Sequence, residues 1–239
     1  MIFRRKAVLI IHGFVGTTKD EEELFYYLNH FKKYDVYNFV LKGHDRLTND
    51  ILYQDWINDA ESHLNKLLDY GYNNIIVIGH SMGGVLASYL AYKYPKKVKK
   101  LVLLAPAFDY LAYGKGNLFE NIKSSIKVIK DHSMAEVMGR TLKTSPNMLI
   151  QFMKLVGNYQ DILSMVKCPL LIMHGDNDAV VPYKSSEEVF KIASSKYKYL
   201  ITLEGVDHDV FRSDKTNIIV KTIYKFLKNK RSIKKINKL

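Results

Sequence analysis

Cysteine is almost missing from this sequence: Cys168 is the single one in 239 residues. That excludes an internal disulfide framework and suits a reducing compartment. Lying beside Pro169 at the start of an apolar run, Cys168 reads as a small core residue rather than a reactive thiol. No uninterrupted apolar stretch reaches the ~18 residues of a membrane span. The opening "MIFRRKAVLIIHGF" breaks at His12 and Gly13 without a small-residue cleavage site behind it, so no secretory signal is read and a cytoplasmic location is expected. Repeats, low-complexity segments, the Walker pattern and the dinucleotide glycine fingerprint are also absent. His12, His44, His80, His132 and His174 show neither H-x-x-x-H nor H-E-x-x-H spacing and have no acid cluster beside them. No metal and no cofactor are therefore expected.

Acids are missing from the end of the chain. From Lys221 onward there are eight Lys and Arg and no Asp or Glu. Setting those eight aside leaves 28 basic residues against 24 acidic ones, although the whole chain carries a formal +12. The pattern is a near-balanced body with a basic tail, read as a solvated, frayed end. It lacks the interleaved aromatic pattern of a nucleic-acid-binding segment and matches no nucleic-acid motif. The expected partner is a small molecule, with no nucleic acid and no integral membrane association.

What is present alternates. "AVLII" (Ala7–Ile11), "VYNFVL" (Val36–Leu41), "IIVIG" (Ile75–Gly79), "VKKLVLLAP", "PLLIMHG" and "YKYLITLEG" are short apolar runs that stop at Gly or Pro, as buried parallel strands do. Between them lie helical patterns: "TTKDEEELFYYLNHFKKY", with acids first and bases last, "YQDWINDAESHLNKLLDYG", "MGGVLASYLAYKYP", "SSEEVFKIASSK" and a last one from about Asp214 to Lys228. The expected fold is α/β, a mainly parallel sheet of about six strands with helices on both faces. From Ala107 to about Met165 the alternation lapses into helical patterns rich in Phe, Tyr and Met. The expected organisation is a core of residues 1–106 and 166–239 with a helical cap insertion at 107–165.

In an open parallel sheet, ligands bind at the carboxyl ends of the strands. His12-Gly13-Phe14, Gly43-His44, Ser81, Asp176, Asp178 and His208 all fall there. "GHSMG" (Gly79–Gly83) fits the G-x-S-x-G turn that lifts a serine oxygen clear of the sheet at the start of a helix. A serine hydroxyl needs a base to take its proton, and "LEGVDHDVF" supplies His208 after the last strand. The base needs an acid to hold its tautomer, and "MHGDNDAVVP" offers Asp176 and Asp178. Asp178 is preferred because it lies further round the loop, with Asp176 as a turn-former bonding its own backbone. Two amides should receive the oxyanion: Met82, after the nucleophile, and Phe14, in "HGFVG" after the first strand. His12 reads as structural. Phe14, Phe108, Met134 and Met138 are candidates for lining an acyl pocket, a role that competes with simple packing of the cap on the sheet.

The order Ser81, Asp178, His208, with "IIHGFVG", "LKGHD", "GHSMGG", "KCPLLIMHGDNDAVVP" and "GVDHDVF", resembles the α/β-hydrolase superfamily over nearly the whole chain. Within it the chain looks like small capped serine carboxylesterases and monoacylglycerol-lipase-like enzymes. The resemblance implies Ser81 as nucleophile, His208 as base, Asp178 as acid, and the Phe14 and Met82 amides as the oxyanion hole. The chain begins almost at the strand before "HGF", without the first strands of larger members, which leads to the expectation of six strands. The implied activity is hydrolysis of short- to medium-chain esters. The alternatives are a monoacylglycerol lipase or thioesterase with the same triad, or a hydrolase-like protein that binds without turnover. Dehalogenases and epoxide hydrolases of this fold use an aspartate where this chain has Ser81.

Overall fold

A computed structural model describes residues 6–45, 50–108, 145–233 and 236–239. Strands β1 (Lys6–Ile11), β2 (Tyr34–Phe39), β3 (Ile75–His80), β4 (Val98–Leu104), β5 (Leu170–Gly175) and β6 (Lys198–Leu203) form one sheet in the order β2-β1-β3-β4-β5-β6. Every neighbouring pair is parallel. The connecting helices are α1 (Glu22–His30), α2 (Tyr53–Asp69), α3 (Met82–Lys93), α4 (Pro146–Tyr159), α5 (Tyr183–Ile192) and α6 (Thr216–Lys228).

Strand periodicity divides the core in two. Ala7, Leu9 and Ile11 of β1 face one cluster, filled by α2, α3 and α4. Val8 and Ile10 face the other, filled by α1 and α6. All six residues of β3 are buried, which is why its sequence is a continuous apolar run rather than an alternating one. Each such side chain contributes about 1.5–3 kcal/mol of transfer free energy. Helix α4 begins with Ser145 Oγ accepting from the Met148 amide, and it buries Met148, Phe152, Leu155 and Val156 in the first cluster. That part of the 107–165 stretch packs directly with α2 and α3, while Met134 and Met138 lie outside the described residues.

Register brings the strand exits together. Ile11 pairs with Gly79, and His80 with Leu104, so the loops after β1, β3 and β4 leave the sheet at one height. The order in which strands are added reverses between β1 and β3, and ligands settle in the crevice at such a switch point. Helix α3 enters that crevice very closely. A Cβ on Gly83 would stand 2.2 Å from the Ile11 carbonyl oxygen and 2.5 Å from that of His12. A Cβ on Gly175 would stand 1.9 Å from the Val206 oxygen, so the end of β5 lies equally close to the loop after β6.

Strand β2 runs two residues earlier than the sequence reading placed it, Tyr34–Phe39 instead of Val36–Leu41, and two further regions differ. Helix α1 starts at Glu22 instead of near Thr17, because Asp20 folds back: its Oδ2 accepts the Thr17 amide at 2.8 Å, and its own amide donates to the Thr17 carbonyl at 3.1 Å. The end of the tail is docked rather than frayed. Ile233 is fully buried, the Thr202 amide donates to Asn237, and the Leu239 amide donates to Thr202. These bonds pair the exposed edge of β6, whose backbone groups would otherwise be open to another strand. Among the described residues no helix is long and apolar enough to cross a membrane.

Close approach makes the glycines unequal. Gly83→Ala should cost more than about 3 kcal/mol, since backbone has to move to admit the methyl. Gly157, inside α4 with nothing within 4 Å of an added Cβ, should behave oppositely. Gly157→Ala should gain about 0.5–1 kcal/mol. Urea unfolding of both variants checks the contrast in sign.

Candidate active site

Ser81 joins β3 to α3 with φ 52° and ψ −120°, a left-handed backbone that a residue with a side chain adopts only under constraint. The constraint is visible in its bonds. Its amide donates to Leu104 at 2.9 Å, and its carbonyl accepts from Gly84 at 2.9 Å and Ala107 at 3.2 Å. The serine is thereby held between β4 and the first turn of α3, with its side chain at the crevice.

Beside it runs the loop after β1. A Cβ on Gly13 would stand 3.1 Å from Ser81 Cβ, so the "HGF" backbone lies directly against the serine. The His12 ring fixes this loop: Nε2 accepts the Leu41 amide at 2.9 Å, and Nδ1 donates to the Gly13 carbonyl at 2.7 Å. Burial, then the neighbouring His44, pushes the His12 pKa down to about 3, so the ring stays neutral and keeps this tautomer. Its structural reading matches these bonds. Phe14 stacks on Phe152 with centroids 4.9 Å apart and meets Trp56 edge-on. Phe108 follows Ala107 immediately and lines a cavity of about 590 Å³ between α4 and α5, together with Met153, Val156, Val189 and Ile192.

On the other side of Ser81, β5 and β6 deliver the acid and the histidine. The Asp178 carboxylate is fully buried, with Oδ1 accepting the Val180 and Val181 amides at 2.8 and 2.9 Å. Its Oδ2 accepts from His208 Nδ1 at 2.7 Å and from His174 Nε2 at 3.0 Å. Burial alone would raise this carboxyl; the charges and hydrogen bonds of His208 and His174 outweigh it and hold the group well below the usual carboxylate range. Asp176 is exposed and its Oδ1 accepts the Gly205 amide at 2.6 Å, so it braces the turn after β6 instead of bonding its own backbone. Only one of the two acids thus meets His208.

The sequence reading missed three members of this site. His174 was one histidine among several; here its Nδ1 pairs with the Ser186 hydroxyl at 2.6 Å while Nε2 holds Asp178. Glu21, within a run of helix-start acids, is almost wholly buried and bonds His80 Nδ1 at 3.0 Å. His80 Nε2 in turn lies 3.0 Å from the His208 carbonyl. Both ring nitrogens of His80 therefore face acceptors, which requires a proton on each. Burial alone would lower its pKa, but the Glu21 carboxylate outweighs that, with Asp209 and the His208 carbonyl, and brings it to about 9. The residue before Ser81 thus ties the backbone of His208 to the start of α1. Nothing in the local spacing singles out Glu21; it arrives from 59 residues away.

Among the described residues no group of three or more His, Cys, Asp or Glu could hold a metal ion. The model of the serine aminopeptidase S33 family matches residues 4–215. The chain belongs to that family. Proteins similar to this chain include a carboxylesterase of Bacillus subtilis, 24% identical over 230 residues, 93% of this chain and 92% of that one. A thermostable monoacylglycerol lipase of Bacillus sp. is 30% identical over 212 residues, covering 84% and 82%. The solved monoacylglycerol lipase of Paleococcus ferrophilus superposes with a TM-score of 0.74 at 17% identity, covering 94% of each chain, which establishes a shared α/β-hydrolase fold. This family member is a serine hydrolase with a six-stranded parallel sheet.

The His80–Glu21 pair has a signature in pH. An unfolded histidine titrates near 6.5 and the folded one near 9, so the pair's stabilisation is complete below about 6.5 and lost as pH rises through 9. Removing one partner of a buried pair costs about 3–5 kcal/mol. Glu21→Gln should therefore be less stable at pH 7 and lose less of its remaining stability between pH 7 and 10. Urea midpoints across that range, for wild type and variant, check both statements.

Proposed function

We propose that the protein is a carboxylic ester hydrolase in which Ser81, His208 and Asp178 carry out acyl transfer under a cap formed by residues 107–165. The observation that carries this reading is the buried Asp178 carboxylate, bonded to His208 Nδ1 at 2.7 Å, with Ser81 at φ 52° next in sequence to His80, whose Nε2 lies 3.0 Å from the His208 carbonyl. With Nδ1–H donated to Asp178, the other nitrogen, Nε2, is the one available for a proton. Ser81 Oγ attacks the ester carbonyl while Nε2 takes its proton. The tetrahedral oxyanion is received by the Met82 and Phe14 amides, each donor of this kind lowering the barrier by about 3 kcal/mol. Nε2 then protonates the departing alcohol, leaving an acyl-serine. Water, deprotonated by the same nitrogen, attacks the acyl carbon and releases the acid with Ser81 restored.

Names carried by the relatives support ester chemistry, and Phe108, next to the Ala107 whose amide bonds Ser81, lines a cavity of mixed polar and apolar surface between α4 and α5. The monoacylglycerol lipase among the relatives favours a second reading, in which turnover would rise with acyl length. A p-nitrophenyl ester series from acetate to palmitate separates the two. Short- and medium-chain preference supports the carboxylesterase; a steady rise to palmitate, strengthened by detergent, supports the lipase. Ser81→Ala should lower turnover at least about 10³-fold. Asp178→Asn should lose about 10⁴-fold, through the wrong histidine tautomer. Asp176→Asn should stay within a few-fold of wild type. Full activity in Ser81→Ala, or Asp176→Asn as the damaging variant, would sink this assignment.

A further inference from the structure

The parallel sheet divides the surface into two ends. Since all six strands run one way, their starts share an end, and the connecting helices must finish there. That end is opposite Ser81, Asp178 and His208, which follow the strand exits. It holds Lys32 and Lys33 after α1, Lys96 after α3, Lys99 at the start of β4, Lys167 before β5 and Lys196 before β6, all exposed. Lys6, at the start of β1, and Lys230, just after α6, belong to the same end. Their fields meet: besides burial, the charges of Lys6, Lys230 and Lys33 help push the Lys100 ammonium down to about 8.

Part of this charge serves the fold. Lys100 Nζ donates to the Phe226 and Leu227 carbonyls at the end of α6, and Lys198 Nζ donates to Phe190 and Ala193 at the end of α5. The six exposed lysines exceed that need. Acids at this end are fewer: Asp35 accepts from Tyr72, and Asp69 and Asp161 are exposed. Several exposed apolar side chains lie at the same end as the lysines: Phe31 after α1, Tyr70 after α2, Tyr92 in the last turn of α3 and Met165 before β5. Tyr70 is 70% exposed.

We propose that this end of the molecule docks on an anionic lipid surface, with the strand-exit end and its serine turned to the aqueous side. Each lysine near such a surface is attracted to the lipid phosphates. The aromatic and aliphatic tips enter the boundary between headgroups and acyl chains. That apolar component favours a bilayer over RNA, which offers phosphates but no apolar phase. The charges are also mostly lysine point charges spread over several helix ends, not arginine forks lining one groove. The docking does not depend on the acyl-transfer reading, because it is scored as binding.

The test is co-sedimentation of the full chain with vesicles of phosphatidylcholine alone and with 30% phosphatidylglycerol, in low salt. The expected result is retention on the anionic vesicles only, reversed by 0.5 M salt. The variant Lys96→Glu/Lys99→Glu/Lys196→Glu should bind at least tenfold more weakly, with its far-ultraviolet spectrum unchanged. Lys19→Glu/Lys184→Glu, altered at the opposite end, should bind as wild type does, and so should Ser81→Ala. Equal retention on neutral vesicles, unchanged binding by the triple variant, or retention of polyuridylate but not of vesicles would each overturn the proposal.

Discussion

The first turn of α3 lies against the backbone of β1, and the whole strand-exit end is arranged around that contact. A single methyl at Gly83 would sit 2.2 Å from the Ile11 carbonyl oxygen, well inside any tolerable separation. Because helix and strand meet so closely, the turn between β3 and α3 has little freedom, and Ser81 takes a backbone conformation that it would otherwise avoid. The same approach presses Gly13 against the serine and fixes where the Phe14 amide lies. The positive φ of Ser81, the path of the "HGF" loop and the direction of α3 are thus three consequences of one packing contact.

Buried charge is the second organising constraint. An ionised carboxylate in the interior is costly unless paired and hydrogen-bonded. Asp178 meets that condition with two amides and two imidazoles, which also fixes the tautomer of His208. His80 and Glu21 meet it with each other and with the His208 carbonyl. The outcome is that His208 is held twice, by its ring through Asp178 and by its backbone through His80. Breaking either attachment leaves a charge stranded in the core, so the geometry of the site is coupled to the stability of the fold.

Long, strongly patterned elements were legible in the chain. The apolar runs of β1, β3 and β5 stand almost where the residues place them, since a strand buried on both faces has to be apolar throughout. The elbow around Ser81 was legible too, because its glycines mark backbone contacts that no other residue permits. Helix α1 was less so: the acids that suggested its start include Asp20, which closes a turn, and Glu21, which is buried against His80. Local periodicity cannot tell an acid that faces water at a helix start from one that turns inward to meet a partner from another strand.

By itself the sequence determined the alternation of strands and helices, the two-sided burial of the sheet and the residue types at the strand exits, because these follow from local patterns of side-chain size and polarity. Only the tertiary structure decided the strand order, the bracing of Asp176 against Gly205, and the recruitment of Glu21, His80 and His174. Those pairings join residues between 4 and 128 positions apart, and which acid meets which imidazole depends on register and loop path. The docking of residues 237–239 on β6 belongs to the same class: a basic tail looks solvated until an open strand edge is beside it to satisfy its backbone.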